Sequence, residues 1–160
     1  MRNNAAWLIL SALVIVLDQF SKYWIEANLV HYGVIPVMPH FNIVHLRNTG
    51  AAFSMFNQAP SLAFIGLAAA VSAGILVWLR RHPRGETLTA VGLCLILGGA
   101  IGNVIDRVRL GHVTDFLDFY WGSAHFAAFN VADSAISVGA GFLILEMLLE
   151  WKRGGPRKEL

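Results

Sequence analysis

The sequence predicts an all-α polytopic membrane protein with four transmembrane helices and short extended segments on the outer side. Three observations lead there. The 160 residues are 56% hydrophobic and only 14% charged, where an ordinary soluble domain carries about 25% charged residues. Four segments reach or approach the roughly 20 apolar residues that a helix needs to cross a bilayer. The basic residues gather on one side of those segments, as a consistent topology demands.

The first span is expected over about residues 5–27. Its apolar opening, Ala6 to Leu17, is followed by Asp18, Lys22 and Glu26. Arg2 ahead of an apolar run could start a cleaved leader, but no small-x-small cleavage site follows and Asp18 interrupts, so the segment is read as a retained span. The second span is expected over about 61–79, the third over about 87–105 and the fourth over about 131–151. Together they make residues 1–160 a single membrane-embedded domain.

Charge orients the bundle. Arg2 precedes span one, Arg80, Arg81 and Arg84 fill the loop between spans two and three, and Lys152, Arg153, Arg157 and Lys158 follow span four. An even number of spans puts all of these on one face, which the positive-inside rule makes cytoplasmic. Both termini are then cytoplasmic, and the longer loops, about 28–60 and 106–130, face outward with five of the six histidines. Within those loops Phe41–Arg47 is rich in β-branched and apolar residues and reads as a strand, ended by the turn signal Asn48-Thr-Gly50. Val113–Tyr120 also reads as extended and can pair with it. Trp24, Trp78, Trp121 and Trp151 fall near the predicted interfaces, where aromatic belts form.

Composition excludes several chemistries. Cys94 is the only cysteine, mid-chain in an apolar run, so neither a disulfide framework nor a cysteine zinc site can be built. The six histidines lack ligand-like spacing, and there is no H-E-x-x-H, G-x-S-x-G or P-loop. No metal site, no cofactor and no nucleic-acid partner are expected.

Carboxylates remain. Asp115 lies in the outer loop and Asp133 where span four begins, both at or near a membrane interface, where an ionisable group is costly and a functional candidate. Each also has an ordinary explanation. Asp115 could be a solvated loop carboxylate like Asp118, and Asp133 could be the third residue of a capping box opened by Asn130. Their common address at the outer mouth of the bundle favours a pair, since two close carboxyls share a proton and can activate water. Asn103 and Arg107 are four apart on one face of span three, as Asp18 and Lys22 are on span one. Gly98 and Gly102 give span three a small-xxx-small face for close helix contact. On carboxylates alone, a small proton-coupled carrier using Asp18, Lys22 and Asp133, or a structural anchor, remain competing readings.

Five stretches taken together resemble the lipoprotein signal peptidase (signal peptidase II) family. They are Asp18-Gln-Phe-Ser-Lys22, Asn48-Thr-Gly-Ala-Ala-Phe-Ser54, Gly98-Gly-Ala-Ile-Gly-Asn-Val-Ile-Asp-Arg107, Val113-Thr-Asp-Phe116 and Phe129-Asn-Val-Ala-Asp133. The resemblance covers essentially the whole chain. It implies four transmembrane helices, an extracytoplasmic β-cradle and a short interfacial helix, the last matching the apolar stretch after Gly50. It implies an aspartic endopeptidase of the bacterial inner membrane that cleaves diacylglyceryl-modified prolipoproteins just before the lipidated cysteine. Asp115 and Asp133 would be its catalytic dyad, and Asn48, Asn103, Arg107 and Asn130 would line the substrate site. Asp18, Lys22 and Asp106 would give structural support. Partners would be the lipidated substrate, membrane lipid and globomycin-type cyclic peptides, and a monomer is expected.

Overall fold

A computed structural model describes residues 7–50, 61–81 and 87–153. The short helix expected after Gly50 lies outside the described residues, as do Arg2, Arg84, Arg157 and Lys158. The element order is α1 (Leu8–Asn28), β1 (Val34–Met38), β2 (Phe41–Asn48), α2 (Ser61–Arg81), α3 (Thr87–Leu110), β3 (Val113–Trp121), β4 (Ala124–His125) and α4 (Val131–Lys152). All four helices are long and apolar enough to cross a membrane. The protein is a multi-pass membrane protein with one small antiparallel sheet.

Much of the outer face of the bundle is apolar side chain. Ile9, Leu13, Val16, Leu17 and Phe20 of α1 are exposed, as are Ile144, Leu145, Met147 and Leu148 of α4. Such a surface is stable only in lipid. The helices therefore meet through close backbone approach rather than through exclusion of water. Helix α3 is in the middle, packed against α1, α2 and α4. Gly98 and Gly102 turn to α1, as their spacing predicts. A Cβ on Gly102 would stand 2.6 Å from Asp18 Oδ2. On the opposite flank Gly99 faces the backbone of Ala132 in α4. Between α2 and α3, Ile75, Leu79, Ala90, Cys94 and Leu97 form a buried apolar cluster.

The sheet has the order β1-β2-β3-β4 and sits at the end of the bundle where α1 and α3 finish and α4 begins. β2 and β3 coincide with the predicted strands to within a residue. Their pairing runs from Phe41↔Phe119 to Asn48↔Val113, with a register shift between Ile43 and Leu46. β1 and the two-residue β4 were not predicted. β1 contains Pro36, which argues against a strand in sequence, and all five of its residues are exposed. It survives as an edge strand, a place in a sheet where a proline fits. Helix α3 also runs five residues past the predicted end at 105, to Leu110. Asp106 and Arg107 look like the exit from the membrane in sequence. In the fold Asp106 is held by Lys22 and Gln19 and Arg107 by Gly50 O and the Phe64 ring, so the helix runs on past them.

Candidate active site

Asp115 is on β3 and Asp133 in the first turn of α4, and Asn130 joins them. Asn130 is fully buried. Its Nδ2 donates to Asp115 Oδ1 at 2.7 Å, and its Oδ1 accepts the backbone N–H of Asp133 at 2.9 Å. Its own backbone N–H donates to Asp133 Oδ2 at 3.3 Å. The capping box anticipated for Asn130 and Asp133 is therefore present in full. It does not consume Asp133, whose other oxygen accepts from Asn103 Nδ2 at 2.8 Å. Helix capping and delivery of a carboxylate are one arrangement here.

Asp115 is buried, 3% exposed. Besides Asn130, it accepts from Asn48 Nδ2 at 3.0 Å across the β2–β3 ladder. Burial pushes its pKa up to about 7, aided by the nearby charge of Asp133. The hydrogen bonds from Asn48 and Asn130 and the charge of Lys22 oppose that rise without cancelling it. A carboxyl that keeps its proton near neutral pH can donate where an ordinary one cannot.

Arg107 borders the same space. Its Nη2 donates to Gly50 O at 2.8 Å, and its guanidinium lies 4.9 Å from the centre of the Phe64 ring. Its Nε is buried without a hydrogen-bond partner among the described residues. Behind this layer Asp18, Lys22 and Asp106 form a buried ion cluster. Lys22 Nζ is 2.8 Å from Asp18 Oδ2 and 3.0 Å from Asp106 Oδ2. The pair predicted on α1 is thus a triad spanning α1 and α3. Removing one member would strand a buried charge, at a cost of about 3–5 kcal/mol. Gln19 adds a bond from Nε2 to Asp106 Oδ1 at 2.9 Å, and Thr114 N–H donates to Asp106 Oδ2 at 3.2 Å.

Two cavities open beside these two aspartates. One, of about 680 Å³, lies along the sheet and is bordered by Asp115, Asn42, Asp118 and His125. The other, of about 550 Å³, runs along α4 and is bordered by Asp133, Asn103 and Arg107, with Phe129, Ile136 and Val138. Asn48, Phe126, Ala127 and Ala128 line both, so the two cavities adjoin.

One residue differs from its sequence reading. Asp118 is not a solvated loop carboxylate. It is 5% exposed and accepts from Asn42 Nδ2 at 3.0 Å and from His125 Nδ1 at 2.9 Å. Asn42 and His125 carried no signal in the sequence, because their partnership exists only through the Asn42↔Asp118 register and the β3–β4 turn. Thr114, which donates Oγ1–H to Glu26 Oε1 at 2.7 Å, escaped notice for the same reason.

Comparison with known proteins identifies the family. The family described as Signal peptidase (SPase) II, Peptidase_A8, matches residues 10–149. A lipoprotein signal peptidase of Shewanella loihica is 45% identical over 154 residues, covering 94% of this chain and 91% of that protein. One from Alteromonas mediterranea is 44% identical over 156 residues, covering 96% of this chain and 84% of that protein. A solved bacterial membrane enzyme superposes with a TM-score of 0.86 at 28% identity, covering 98% of this chain and 94% of that one.

Proposed function

Because the chain belongs to the signal peptidase II family and so removes signal peptides from prolipoproteins, we propose that Asp115 and Asp133 are the groups that hydrolyse the bond. The enzyme is then an aspartic endopeptidase that cuts just before a diacylglyceryl-modified cysteine. One observation carries the reading. The carboxylates border adjoining cavities, and Asn130 grips both. A peptide passing from one cavity to the other presents its scissile bond between them.

Chemistry follows from that position. One carboxyl is ionised and takes a proton from a water. The other is protonated and donates to the scissile carbonyl oxygen as the tetrahedral intermediate forms. As the C–N bond breaks, the first carboxyl gives the water's proton to the leaving amine and the second takes back the proton from the carbonyl oxygen. Pair and water suffice, with no covalent intermediate. Asn48 and Asn130 orient Asp115, and Asn103 orients Asp133. Arg107, whose guanidinium borders the same cavity as Asp133, holds the substrate backbone near the cysteine. The apolar walls along α4 take the signal-peptide side or the acyl chains, which enter sideways from the bilayer. Asp18, Lys22 and Asp106 hold α1 and α3 together beneath.

The same reading gives the setting. The chain is one membrane-embedded peptidase domain of the bacterial inner membrane, with cytoplasmic termini and the sheet and dyad at the outer face. It acts as a monomer on its lipidated substrate, and a globomycin-type cyclic peptide would occupy the site as a blocked substrate. The decisive experiment is cleavage of a diacylglyceryl-modified prolipoprotein by purified Asp115→Asn and Asp133→Asn. Asn keeps the shape and loses the acid–base group, so each should be at least about a thousandfold slower. Near wild-type turnover in either folded variant would end the aspartic mechanism.

A further inference from the structure

The ion cluster behind the dyad touches Asp133 by two routes. Lys22 is 1% exposed. Its ammonium has three donors and no acceptor, and three oxygens receive them. Two belong to Asp18 and Asp106, and the third is Asn103 Oδ1 at 2.9 Å. An Asn amide can present either end, and only its neighbours decide which. Lys22 can only donate, so Asn103 must turn its oxygen toward it. Asn130 Nδ2 reaches the same oxygen at 3.4 Å. The other end of Asn103, its N–H, then faces Asp133 Oδ1 at 2.8 Å. By the second route, Asp18 Oδ1 accepts the backbone N–H of Ala132 at 2.9 Å, one residue before Asp133.

We propose that Lys22 is a positioning residue for the reaction. Its ammonium fixes the Asn103 amide and the Asp18 carboxylate, and these two hold Asp133 where it acts on substrate. The proposal rests on Asp115 and Asp133 being the dyad. Without Lys22 the Asn103 amide is free to turn and set its oxygen against that of Asp133, acceptor against acceptor. A cluster that merely clasps α1 to α3 predicts lost stability and unchanged chemistry. A positioning cluster predicts lost kcat at nearly unchanged KM. The charged groups around Lys22 are Asp18 on its own helix, Asp106 on α3 and, past Asn103, Asp133 on α4 and Asp115 on β3. Arg107 of α3 stands on the far side of them, within reach of the charges of Asp133, Asp115 and Asp106.

Lys22→Met alone would strand two buried carboxylates, so the test neutralises the cluster as a unit in Asp18→Asn/Lys22→Met/Asp106→Asn. The full-length enzyme is assayed on a diacylglyceryl-modified prolipoprotein for kcat, KM and thermal midpoint, alone and combined with Asn103→Ala. The triple variant should lose at least about thirtyfold in kcat with KM within about threefold. Adding Asn103→Ala should then cost less than about threefold more, because both changes cut one linkage. A folded triple variant with kcat near wild type, or losses that multiply in full, would overturn the proposal. Should the triple variant not fold, Asn103→Asp decides. It keeps the contact with Lys22 but sets an oxygen against Asp133. It should lower kcat at least about tenfold and move the alkaline limb of the pH profile upward. Wild-type kcat and an unmoved limb there would overturn the proposal equally. Failure of the dyad itself is read separately, as activity surviving in Asp115→Asn or Asp133→Asn.

Discussion

Asn48 and Asp115 are not cross-strand partners, yet they are bonded. Asn48 pairs with Val113 in the β2–β3 ladder, while its Nδ2 reaches two residues along to Asp115 Oδ2 at 3.0 Å. Diagonal neighbours on one face of an antiparallel pair are within reach of such a side chain. The strand paired with the one that carries Asp115 thus delivers a donor to it.

That bond can be read in the pH dependence. With its pKa near 7, Asp115 is protonated below neutrality and loses that proton above it. If the reaction needs the proton, kcat/KM falls as pH rises through about 7. Asn48 donates to the ionised form and so lowers the pKa. Asn48→Ala should therefore move the falling limb to higher pH, by single-turnover cleavage across pH 5–9 on the scale of about one unit per lost charge-assisted bond. Stability follows the same sign. The folded pKa lies above the ordinary carboxyl value of about 3.9, so this contribution is full below that value and is lost as pH rises through 7.

Arg107 should not be replaceable by lysine. Its guanidinium reaches Gly50 O through Nη2 and lies over Phe64, and its buried Nε has no hydrogen-bond partner among the described residues. Arg107→Lys keeps the charge and loses the fork, and should reduce kcat/KM about tenfold or more. A side chain that only snorkels would accept the change, and equal rates would assign it that role.

Glycines on α3 and α4 should behave oppositely. Gly102→Ala sets a Cβ 2.6 Å from Asp18 Oδ2, against a side chain pinned by Lys22 and Ala132. It should cost about 1–3 kcal/mol, as overpacking does. Gly141→Ala meets nothing within 4 Å and should be neutral or gain up to about 1 kcal/mol of helix propensity. Thermal unfolding in matched detergent separates the two, and equal midpoints would contradict the packing.

Topology is open to direct measurement. Reporter fusions after residues 40 and 120 should report the outer side, and fusions in the loop holding Arg80, Arg81 and Arg84 the cytoplasm. A cytoplasmic signal from the fusion at 120 would reverse the charge argument and place the dyad on the wrong face.

The spans were legible because lipid demands one thing of a helix, a long apolar run, and Leu, Val, Ile and Ala supply it openly. Asp115 and Asp133 stood out as candidates because they are charges in places that punish charge. What lay hidden was everything decided by register. Asp118 sits three residues from Asp115 on one strand and looks like its solvated neighbour, until Asn42 and His125 close over it. Asp106 looks like the end of a span, until Lys22 and Thr114 are brought to it by α1 and β3. Asn130 was legible as a cap, but not as the bridge between the carboxylates, since the distance from β3 to α4 has no trace in one dimension.

Pro36 has a consequence for how the sheet treats the polypeptides it meets. A small sheet that works beside extended chain runs the hazard of adopting that chain as a further strand, which would trap product at the mouth of the enzyme. Among the described residues one edge of the sheet is β1, where Pro36 offers no N–H and an irregular register follows at once, between Pro36 and Met38. Pro36 and the register shift break the row of donors along that edge. A cleaved polypeptide meets an edge that declines to hold it, and turnover is spared a sticky rim.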